Sequence, residues 1–462
     1  MARGRKKAAV LNAPVEGPWE LPEGWRWERL GNIATPSKGK YQPDPKSSLP
    51  FVGLDSIAPH SIRLEGVSQF SEMRSAANAF SAGQILYGRL RPYLNKVWLA
   101  DRDGACSGEF IVLNCAADIE PAYLRWILHH SSFVSFASHA VSGDRPRIDF
   151  KTMSAYPVPV PPLETQRRIV ARIDELFSEL DDGETALAHA REDLEIYRKA
   201  LLKAAVTGEL TADWRAANPC TETGEQLLQR ILAERRARWE ADPKNKGKRY
   251  KEPAAPDTSD LPELPDGWAW SSLEQATTLI TDGDHNPPKR FPSGVPHLTA
   301  KNVKGGRLTL EGCSYVDPEG FEQTKARYCP TAGDVILTCV GTVGQSAVIP
   351  KGIEFSADRN LAALRPVLEC LTAEYLKALL DSPATQHFIQ QGSSSTAQPH
   401  LYLRDIRRII VPIPPIKEQD KIITVIEELS YHAEELLQMS FGPTASLRQS
   451  ILAAAFKGEL VQ

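Results

Sequence analysis

The sequence predicts an α+β fold in which two globular α/β domains are separated by two long antiparallel α-helices, paired as a coiled coil with a pseudo-two-fold internal repeat. Three observations predict this fold. Motifs occur twice in the same order, short β-branched runs punctuated by glycine and proline lie between them, and apolar residues then recur at every seventh position. At 462 residues the chain is also too long for a single hydrophobic core.

The order of the motifs sets the expected domain boundaries. An N-terminal extension covers residues 1–20, and a linker with helical and basic character covers residues 214–262. The other segments alternate between globular domains and long helices: the first globular domain 21–160, the central helix 161–213, the second globular domain 263–413 and the distal helix 414–462.

The internal duplication is carried by three pairs of motifs. The first members are Leu21-Pro-Glu-Gly-Trp-Arg-Trp27, Val158-Pro-Val-Pro-Pro-Leu-Glu-Thr-Gln166 and Arg198-Lys-Ala-Leu-Leu-Lys-Ala-Ala-Val-Thr-Gly-Glu-Leu210. The second members are Leu264-Pro-Asp-Gly-Trp-Ala-Trp270, Val411-Pro-Ile-Pro-Pro-Ile-Lys-Glu-Gln419 and Arg448-Gln-Ser-Ile-Leu-Ala-Ala-Ala-Phe-Lys-Gly-Glu-Leu460, which follow by 243, 253 and 250 residues. Between the motifs the two copies diverge. A shared frame with different contents is what two domains that recognise different targets need.

Short runs of β-branched and aromatic residues predict the strands of each copy. They include Gln84–Tyr87, Phe110–Leu113 and Asp334–Thr338. A helical segment follows in each copy, at Tyr123–Leu128 and at Tyr375–Leu380. Each globular domain is therefore expected to be a small domain of mixed strands and helices.

A long helix is expected after each Pro-Pro pair, because proline is tolerated in the first helical turn. In the central helix the seam residues recur at intervals of seven: Ile173, Leu180, Leu187, Leu194 and Leu201. About 44 residues at ~1.5 Å each give a length of ~65 Å. A strict heptad imposes packing on a partner helix. The expected partner is the other long helix, and a coiled coil used only for homodimerisation is the alternative.

The distal helix has a similar apolar pattern with an interruption. Its apolar positions are Ile422, Ile426, Leu429, Ala433 and Leu436, and Phe441-Gly-Pro443 follows. Proline inside a helix costs ~3 kcal/mol or more unless the helix bends there. A kink or break is therefore expected near Pro443.

The connection between the copies contains a basic helix and a lysine-rich stretch. Residues 226–239 predict a basic amphipathic helix, and residues 242–260 an exposed linker. The cations of the linker are Lys244, Lys246, Lys248, Arg249 and Lys251. They either neutralise nucleic-acid phosphates or are simply solvated, and both interpretations stay open.

The net charge of −4, from 54 basic and 58 acidic residues, is unlike that of a DNA-binding protein that relies on a strongly basic surface. Any DNA binding must therefore use local basic patches or a partner that contributes further positive charge.

The basic N-terminus is followed by too few apolar residues for a signal peptide, and no stretch reaches the ~18 apolar residues of a membrane span. A cytoplasmic protein without membrane contact is expected. The seven cysteines form no C-x-x-C pair, which argues against both a disulfide framework and a zinc site.

Three patterns that suggest an enzyme fail on inspection. Asp284-His-Asn-Pro-Pro-Lys289 is similar to the Asn-Pro-Pro-aromatic loop of amino-methyltransferases, but lysine stands at the aromatic position. Fragments of a nuclease signature lie in proline-rich loops, whereas metal-binding carboxylates need a rigid scaffold. Gly341-Thr-Val-Gly344 lacks the lysine of a phosphate-binding loop. No catalytic residue, metal or cofactor is expected in this chain.

Polar and basic loops are the better candidates for a functional site, because arginine and lysine bind phosphates, arginine reads guanine, and glutamine reads adenine. The candidates in the first copy are Arg89, Arg91, Tyr93, Lys96, Arg145, Arg147 and Lys151. Those in the second copy are Lys289, Arg290, Lys301, Lys304, Ser394, Thr396, Gln398, Arg404 and Arg407.

The repeated motifs resemble the conserved regions of type I restriction-modification specificity subunits. The pattern Pro-x-Pro-Pro-x-x-x-Gln opens a long helix twice, Gly-Glu-Leu closes it twice, and a Leu-Pro-x-Gly-Trp box precedes each variable segment. The resemblance covers nearly everything from Leu21 to Leu460. The sequence departs from the family pattern at Phe441-Gly-Pro443 and in the lysine-rich linker.

This resemblance implies a non-catalytic subunit that gives a restriction-modification complex its DNA sequence specificity. Two target-recognition domains, held apart by the helices, each read half of a bipartite, asymmetric site in double-stranded DNA. Two modification subunits, which hold S-adenosylmethionine and methylate adenine, dock on the helices, and two restriction subunits that use ATP and Mg²⁺ can join them. The expected docking residues are Gln166, Phe177, Leu180, Leu187, Leu194, Leu201, Gln419, Ile426, Leu436 and Ile451. A DNA-binding targeting protein that acts alone, or in a defence system that does not methylate, is the alternative.

Overall fold

The computed structural model describes residues 15–286, 288–392, 399–438 and 444–461, of which residues 432–438 are described by their backbone. The chain divides into two compact units. The first unit comprises Met1–Leu187 with Ser440–Gln462, and the second comprises Ala188–Met439. Each unit mixes helices and strands, as the sequence predicts. No helix within the described residues combines the length and the apolar character needed to cross a membrane.

The first part of the chain holds eleven strands and five helices within its described residues. The strands are β1 Arg26–Arg29, β2 Ala34–Pro36, β3 Lys40–Tyr41, β4 Pro50–Val52, β5 Ser68–Gln69, β6 Ala77–Phe80, β7 Ile85–Gly88, β8 Val97–Leu99, β9 Gly104–Cys106, β10 Phe110–Cys115 and β11 Pro157–Val160. The helices are α1 Leu30–Ile33, α2 Pro121–His129, α3 Ser131–His139, α4 Phe150–Met153 and α5 Leu163–Thr207.

The remaining elements follow after α5. The helices are α6 Ala212–Ala217, α7 Gly224–Ala241, α8 Leu273–Ala276, α9 Pro318–Lys325, α10 Ala373–Asp381, α11 Pro383–Gly392, α12 Leu403–Arg408, α13 Ile416–Gln438 and α14 Thr444–Lys457. The strands are β12 Ala269–Ser272, β13 Leu279–Asp282, β14 Val295–Leu298, β15 Val303–Lys304, β16 Arg307–Leu308, β17 Ser314–Val316, β18 Val335–Thr338, β19 Ser346–Val348, β20 Ser356–Ala357, β21 Leu361–Arg365 and β22 Ile410–Ile413.

The predicted central helix is confirmed, since α5 runs without interruption for 45 residues. The basic helix predicted at residues 226–239 is confirmed as α7. The distal segment contains α13 and α14, and the kink expected near Pro443 lies outside the described residues. The predicted pairing of the long helices as a coiled coil stays a prediction.

A four-stranded antiparallel sheet forms the centre of each unit. Its order is β2-β10-β7-β8 in the first unit and β13-β21-β18-β19 in the second. The strands β7 and β18 are completely buried, because helices cover one face and a second layer of strands covers the other. In the first unit that layer is the five-stranded sheet β3-β6-β9-β4-β5, and in the second it is β17-β14-β20. The two copies differ most in this layer.

A two-stranded ladder closes the base of each unit. The strand that carries the tryptophan box pairs antiparallel with the strand that precedes the Pro-Pro pair, with Arg26 opposite Val160 and Ala269 opposite Ile413. Tyr123 donates its hydroxyl to the carbonyl of Pro159, and Tyr375 does the same to Pro412. The first and second motifs of each copy are therefore joined by direct contacts.

A fully buried glutamine fixes the start of each long helix. Gln166 accepts a bond from the backbone N–H of Glu120 at 2.8 Å and donates to the carbonyls of Asp118 and Pro161 at 3.0 and 2.9 Å. Gln419 repeats the arrangement with the N–H of Thr372 at 2.9 Å and the carbonyls of Cys370 and Pro414, both at 3.0 Å. Glu120 and Thr372 are the N-caps of α2 and α10. Each amide thus ties the start of a long helix to the start of a short helix of its own unit.

The Gly-Glu-Leu motifs pack on the tryptophan boxes. Gly208 has a left-handed φ of 79°, and a Cβ there would lie 2.5 Å from Cγ of Pro265 and 3.3 Å from the ring of Trp268. Gly458 has a φ of 81°, and its Cβ would lie 2.6 Å from Cγ of Pro22. Both positions require glycine for conformation and for space. The end of the central helix therefore contacts the second box, and the end of the distal helix contacts the first.

We expect Gln419→Ala to lower the free energy of unfolding by about 2–4 kcal/mol, because one buried N–H and two carbonyls lose their partner. Urea unfolding followed by tryptophan fluorescence measures the change. The exposed neighbour Lys417 supplies the control, and Lys417→Ala should change the free energy by less than about 0.5 kcal/mol. Equal losses in both variants would contradict the role of the amide.

His130 should make the first unit sensitive to acid. Desolvation lowers the pKa of this buried histidine to about 4, and its Nδ1 caps α3 by accepting the N–H of Ser132 at 3.4 Å. The unfolded chain titrates near 6.5, so it binds the proton first as the pH falls. Stability is therefore full above pH ~6.5 and falls progressively towards pH ~4.

His130→Asn removes this titration while keeping an oxygen that can cap the helix. We expect the variant to lose less stability than the unmodified protein between pH 7 and pH 5, as measured by thermal unfolding. His139→Asn, at an exposed position, is the control and should leave the profile unchanged. A profile that is unaltered in His130→Asn would show that His130 does not cause the acid sensitivity.

Candidate nucleic-acid interface

In the first unit two distant loops meet and bring four arginines together. The loop after β7 pairs with the loop before α4, with Leu90 opposite Arg147 in an isolated antiparallel bridge. The N–H of Arg91 donates to the carbonyl of Pro146 at 2.8 Å, and the N–H of Ile148 donates to the carbonyl of Arg89 at 3.0 Å. The backbone therefore joins Arg89, Arg91, Arg145 and Arg147, which the sequence places on separate loops.

These arginines differ in their exposure to solvent and in whether a carboxylate pairs with them. Arg147 forms a bidentate pair with Glu109, with Nη2 2.7 Å from Oε1 and Nε 3.0 Å from Oε2. Its hydrogen bonds lower the pKa of Glu109. Arg91 and Arg145 are exposed, the ring of Tyr93 is 46% exposed, and Arg89 is half-buried. Arg91, Tyr93 and Arg145 are thus presented to solvent beside an arginine whose charge is already matched.

Lys96 is half-buried, and its Nζ donates to the carbonyl of Leu54 at 2.6 Å. This bond holds the side chain against its own unit, and a contact of Lys96 with DNA stays a prediction. Lys151 is exposed on α4 and stays a prediction.

The second unit repeats the backbone of this loop pair with different side chains. Val340 lies opposite His400, the N–H of Gly341 donates to the carbonyl of Pro399 at 3.3 Å, and the N–H of Leu401 donates to the carbonyl of Cys339 at 2.8 Å. Gly341 has a left-handed φ of 79°, as Arg91 has a φ of 52° at the matching position. Glycine therefore replaces Arg91, and histidine replaces Arg147.

The loop pair of the second unit borders a cleft of about 920 Å³. Its charged and aromatic lining consists of Asp282, His285, Arg327, Arg359, His400, Tyr402 and Arg404. Burial disfavours the charged form of Asp282, but hydrogen bonds from His285, at 2.8 Å, and from Arg327 outweigh it and lower the pKa of the carboxyl. The cleft therefore combines one compensated carboxylate with a surplus of cationic and aromatic groups.

The sequence analysis proposed none of Arg327, Arg359, His285 and His400 as a DNA contact, although all four line the cleft. No spacing in the sequence connects these residues, because they come from separate segments. Alignment of the two copies is the one signal that was available. It places His400 where the first copy has Arg147.

The predicted residues of the second unit do not form one cluster. Arg404 lines the cleft and its side chain is 75% exposed. Arg407 is half-buried and donates to the carbonyl of Ile280 at 3.1 Å, and its contact with DNA stays a prediction. Arg290 lies elsewhere, bonded to buried His297 at 2.7 Å. Lys289, Lys301 and Lys304 are exposed outside the cleft lining, and Ser394, Thr396 and Gln398 lie outside the described residues.

The predicted docking residues also divide. Gln166 and Gln419 are corrections, because both are fully buried and bonded within their own units. Leu201 is 6% exposed and belongs to the core of the second unit, so it is corrected as well. The predicted docking residues that are half-buried are Phe177, Leu180, Leu187, Leu194, Ile426 and Ile451. The side chain of Leu436 lies outside the described part of the structure. Ile196, an apolar residue of α5, is 65% exposed.

The titratable side chains of the described residues were compared with the ligand sets of metal sites and of a catalytic serine. No group of three or more His, Cys, Asp or Glu side chains there is placed to hold a metal ion. Asp358, His297 and Ser356 are connected, but Ser356 and His297 are almost completely buried, and Nη2 of Arg290 lies 2.7 Å from the same ring nitrogen, Nε2, that faces Asp358. This arrangement orients Arg290 rather than activating a serine.

The chain contains two units with the same loop pair, and cationic and aromatic side chains lie on or beside that pair in each unit. This arrangement is that of a duplicated recognition protein. A family model, the type I restriction modification DNA specificity domain, matches residues 22–188 and 280–438. The chain belongs to this family.

Individual relatives agree with this assignment. The type I restriction enzyme EcoDI specificity subunit of Escherichia coli is 35% identical over 229 residues, which cover 47% of this chain and 50% of that protein. The EcoBI specificity subunit of Escherichia coli is 24% identical over 319 residues, covering 67% of this chain and 60% of the relative. The matched regions thus span about half of these relatives.

Solved structures share the fold. The HsdS subunit from Thermoanaerobacter tengcongensis superposes with a TM-score of 0.60 at 22% identity, covering 96% of this chain and 99% of that one. A chain from a structure on complex assembly and conformational transition of the type I R-M system gives a TM-score of 0.66 at 22% identity, covering 96% and 100%.

We expect Lys96→Met to weaken the fold, because the carbonyl of Leu54 loses its charged donor while the aliphatic stem is kept. Urea unfolding should show a loss of about 1–3 kcal/mol. Lys151→Met, at an exposed position, should stay within about 0.5 kcal/mol. If Lys96→Met keeps its stability but binds DNA more weakly, Lys96 is a DNA contact rather than a structural residue.

Proposed function

We propose that this chain is the DNA sequence-specificity subunit of a type I restriction-modification complex and is not catalytic by itself. The observation that carries the proposal is the matched loop pair. The same three backbone contacts hold Arg91 and Arg147 in one unit and Gly341 and His400 in the other. Because the backbone is constant and the side chains differ, the two units are suited to read two different half-sites of an asymmetric target in double-stranded DNA.

The side chains of the loop pairs and of the cleft fit DNA chemically. Exposed Arg91, Arg145 and Tyr93 in the first unit, and exposed Arg359 and Arg404 with half-buried His400 in the second, offer cations and flat rings. Arginine bonds guanine in the major groove through two parallel N–H donors and also binds phosphate. Base edges supply the sequence information, whereas phosphate contacts fix the position of the protein on the duplex.

The chemistry of modification belongs to partners in this proposal. Two modification subunits hold S-adenosylmethionine and methylate adenine, and restriction subunits use ATP and Mg²⁺. A net charge of −4 supports a shared DNA interface, because this chain alone lacks a strongly basic surface. The docking candidates are exposed Ile196 and the half-buried residues Phe177, Leu180, Leu187, Leu194, Ile426 and Ile451. Antiparallel packing of the two long helices is part of the proposal.

Arg91→Ala combined with Arg145→Ala tests the first unit. The chain is co-expressed with the modification subunit of its system, and adenine methylation of the host DNA is sequenced. We expect the motif to relax at bases of one half-site only, with affinity reduced about tenfold or more. The second half should be unchanged, because its side chains lie in the other unit.

Arg102→Ala is the matched control. Arg102 is exposed and paired with Asp101 at 2.5 Å, and it lies at the far end of β8 from the loop pair. Its variant should methylate the unaltered motif. Relaxation of both halves in Arg91→Ala/Arg145→Ala would contradict the assignment of one half-site to each unit. Assembly of the complex is checked first. If the methylated motif is then the same with and without this chain, the proposed function is contradicted.

A further inference from the structure

The lysine-rich stretch after α7 forms a cationic strap, defined here as residues 243–251. It contains Lys244, Lys246, Lys248, Arg249 and Lys251 and no acidic residue. All five cations are exposed. Within the described chain none of them takes part in an ion pair, so their charges face solvent uncompensated.

The helix before the strap, α7, is also basic, but its charges are matched. Each of its four arginines reaches a carboxylate: Arg230 pairs with Glu222 at 2.9 Å, Arg235 with Glu274 at 3.8 Å, Arg236 with Glu240 at 3.0 Å and Arg238 with Glu234 at 2.6 Å. The carboxylates that flank the strap are also engaged. Asp242 accepts the N–H of Lys244 at 2.9 Å, and Glu252 pairs with Arg236 at 3.4 Å. The positive charge of this region is therefore concentrated on the strap.

The strap is held against α7 rather than hanging free. The ring of Tyr250 packs on Trp239 with centroids 5.3 Å apart, and the guanidinium of Arg236 lies 5.7 Å from the Tyr250 centroid. Asn245 donates to the carbonyl of Trp239 at 3.0 Å, and Lys248 donates its N–H to the carbonyl of Asn245 at 2.9 Å. A held segment loses less conformational entropy when it binds than a free one does.

We infer that the strap is a second, sequence-independent DNA contact that binds phosphates outside the recognised bases. The inference rests on the proposed function. Lysine is a compact point charge that binds phosphate without the fork geometry with which arginine reads guanine. Four of the five strap cations are lysines, which favours attachment to the backbone over reading of sequence. In a chain with a net charge of −4, such a local patch supplies attraction to phosphates that the net charge does not provide.

The test compares two double variants of the assembled complex. The strap variant is Lys246→Gln with Lys248→Gln. The control variant is Lys351→Gln with Lys417→Gln, which changes the charge equally at exposed positions of the same unit. Lys351 follows β19, at the opposite end of that hairpin from the loop pair. Binding to a duplex with the methylated motif and to an unrelated duplex is measured between 50 and 300 mM salt.

In the strap variant we expect the slope of log affinity against log salt to flatten by about 0.9 for each lost contact, so by ~1–2 in total. Affinity for both duplexes should fall by the same factor, leaving their ratio unchanged. The control should keep the original slope. An unchanged slope in the strap variant, with the motif still preferred, would overturn the inference alone. The inference would also be overturned if the strap variant kept the original salt slope but no longer assembled with the modification subunits. The strap would then bind an acidic surface of those subunits rather than DNA. Absence of any motif preference in the unmodified complex would instead refute the proposed function.

Discussion

The buried amides of Gln166 and Gln419 are the contacts on which the frame of each unit depends. Each amide satisfies one backbone N–H and two carbonyls at the junction of a long helix with the domain before it. Such groups are costly to leave unpaired once water is excluded. The direction in which each long helix leaves its domain is therefore fixed by hydrogen bonds as well as by apolar packing. Since the long helices start there, a change at either glutamine disturbs the start of the helix.

The elements were predictable from the sequence, because their signals are local. The heptad of α5, the apolar run of β18 and the Pro-Pro pairs each determine structure within a few residues. Gln166 was misread for a related reason. Its recurrence in both copies marks a structural need, and the sequence does not distinguish a glutamine that bonds to its own domain from one that meets a partner. Burial distinguishes them.

The candidate site was less predictable, because its contacts are long-range. Leu90 and Arg147 meet across a whole domain, and the cleft of the second unit gathers residues from separate segments. The bond of Lys96 to the carbonyl of Leu54 was not predictable, because a carbonyl carries no side-chain signal. The arginines of α7 and the lysines that follow it have similar composition, but only the positions of the carboxylates show which charges are already matched.

The distribution of constraints within each unit explains how one frame serves two targets. Glycines Gly208 and Gly458 sit against the tryptophan boxes where a Cβ has no room, so the frame tolerates little change. The loop pairs are held by main-chain bonds that any residue can form, provided that it accepts a left-handed φ at the position of Arg91 and Gly341. Side chains there can change without disturbing the fold beneath them. Substitutions therefore cost the least stability at the surface that contacts the target. A duplicated frame can acquire two specificities in this way while its core stays the same.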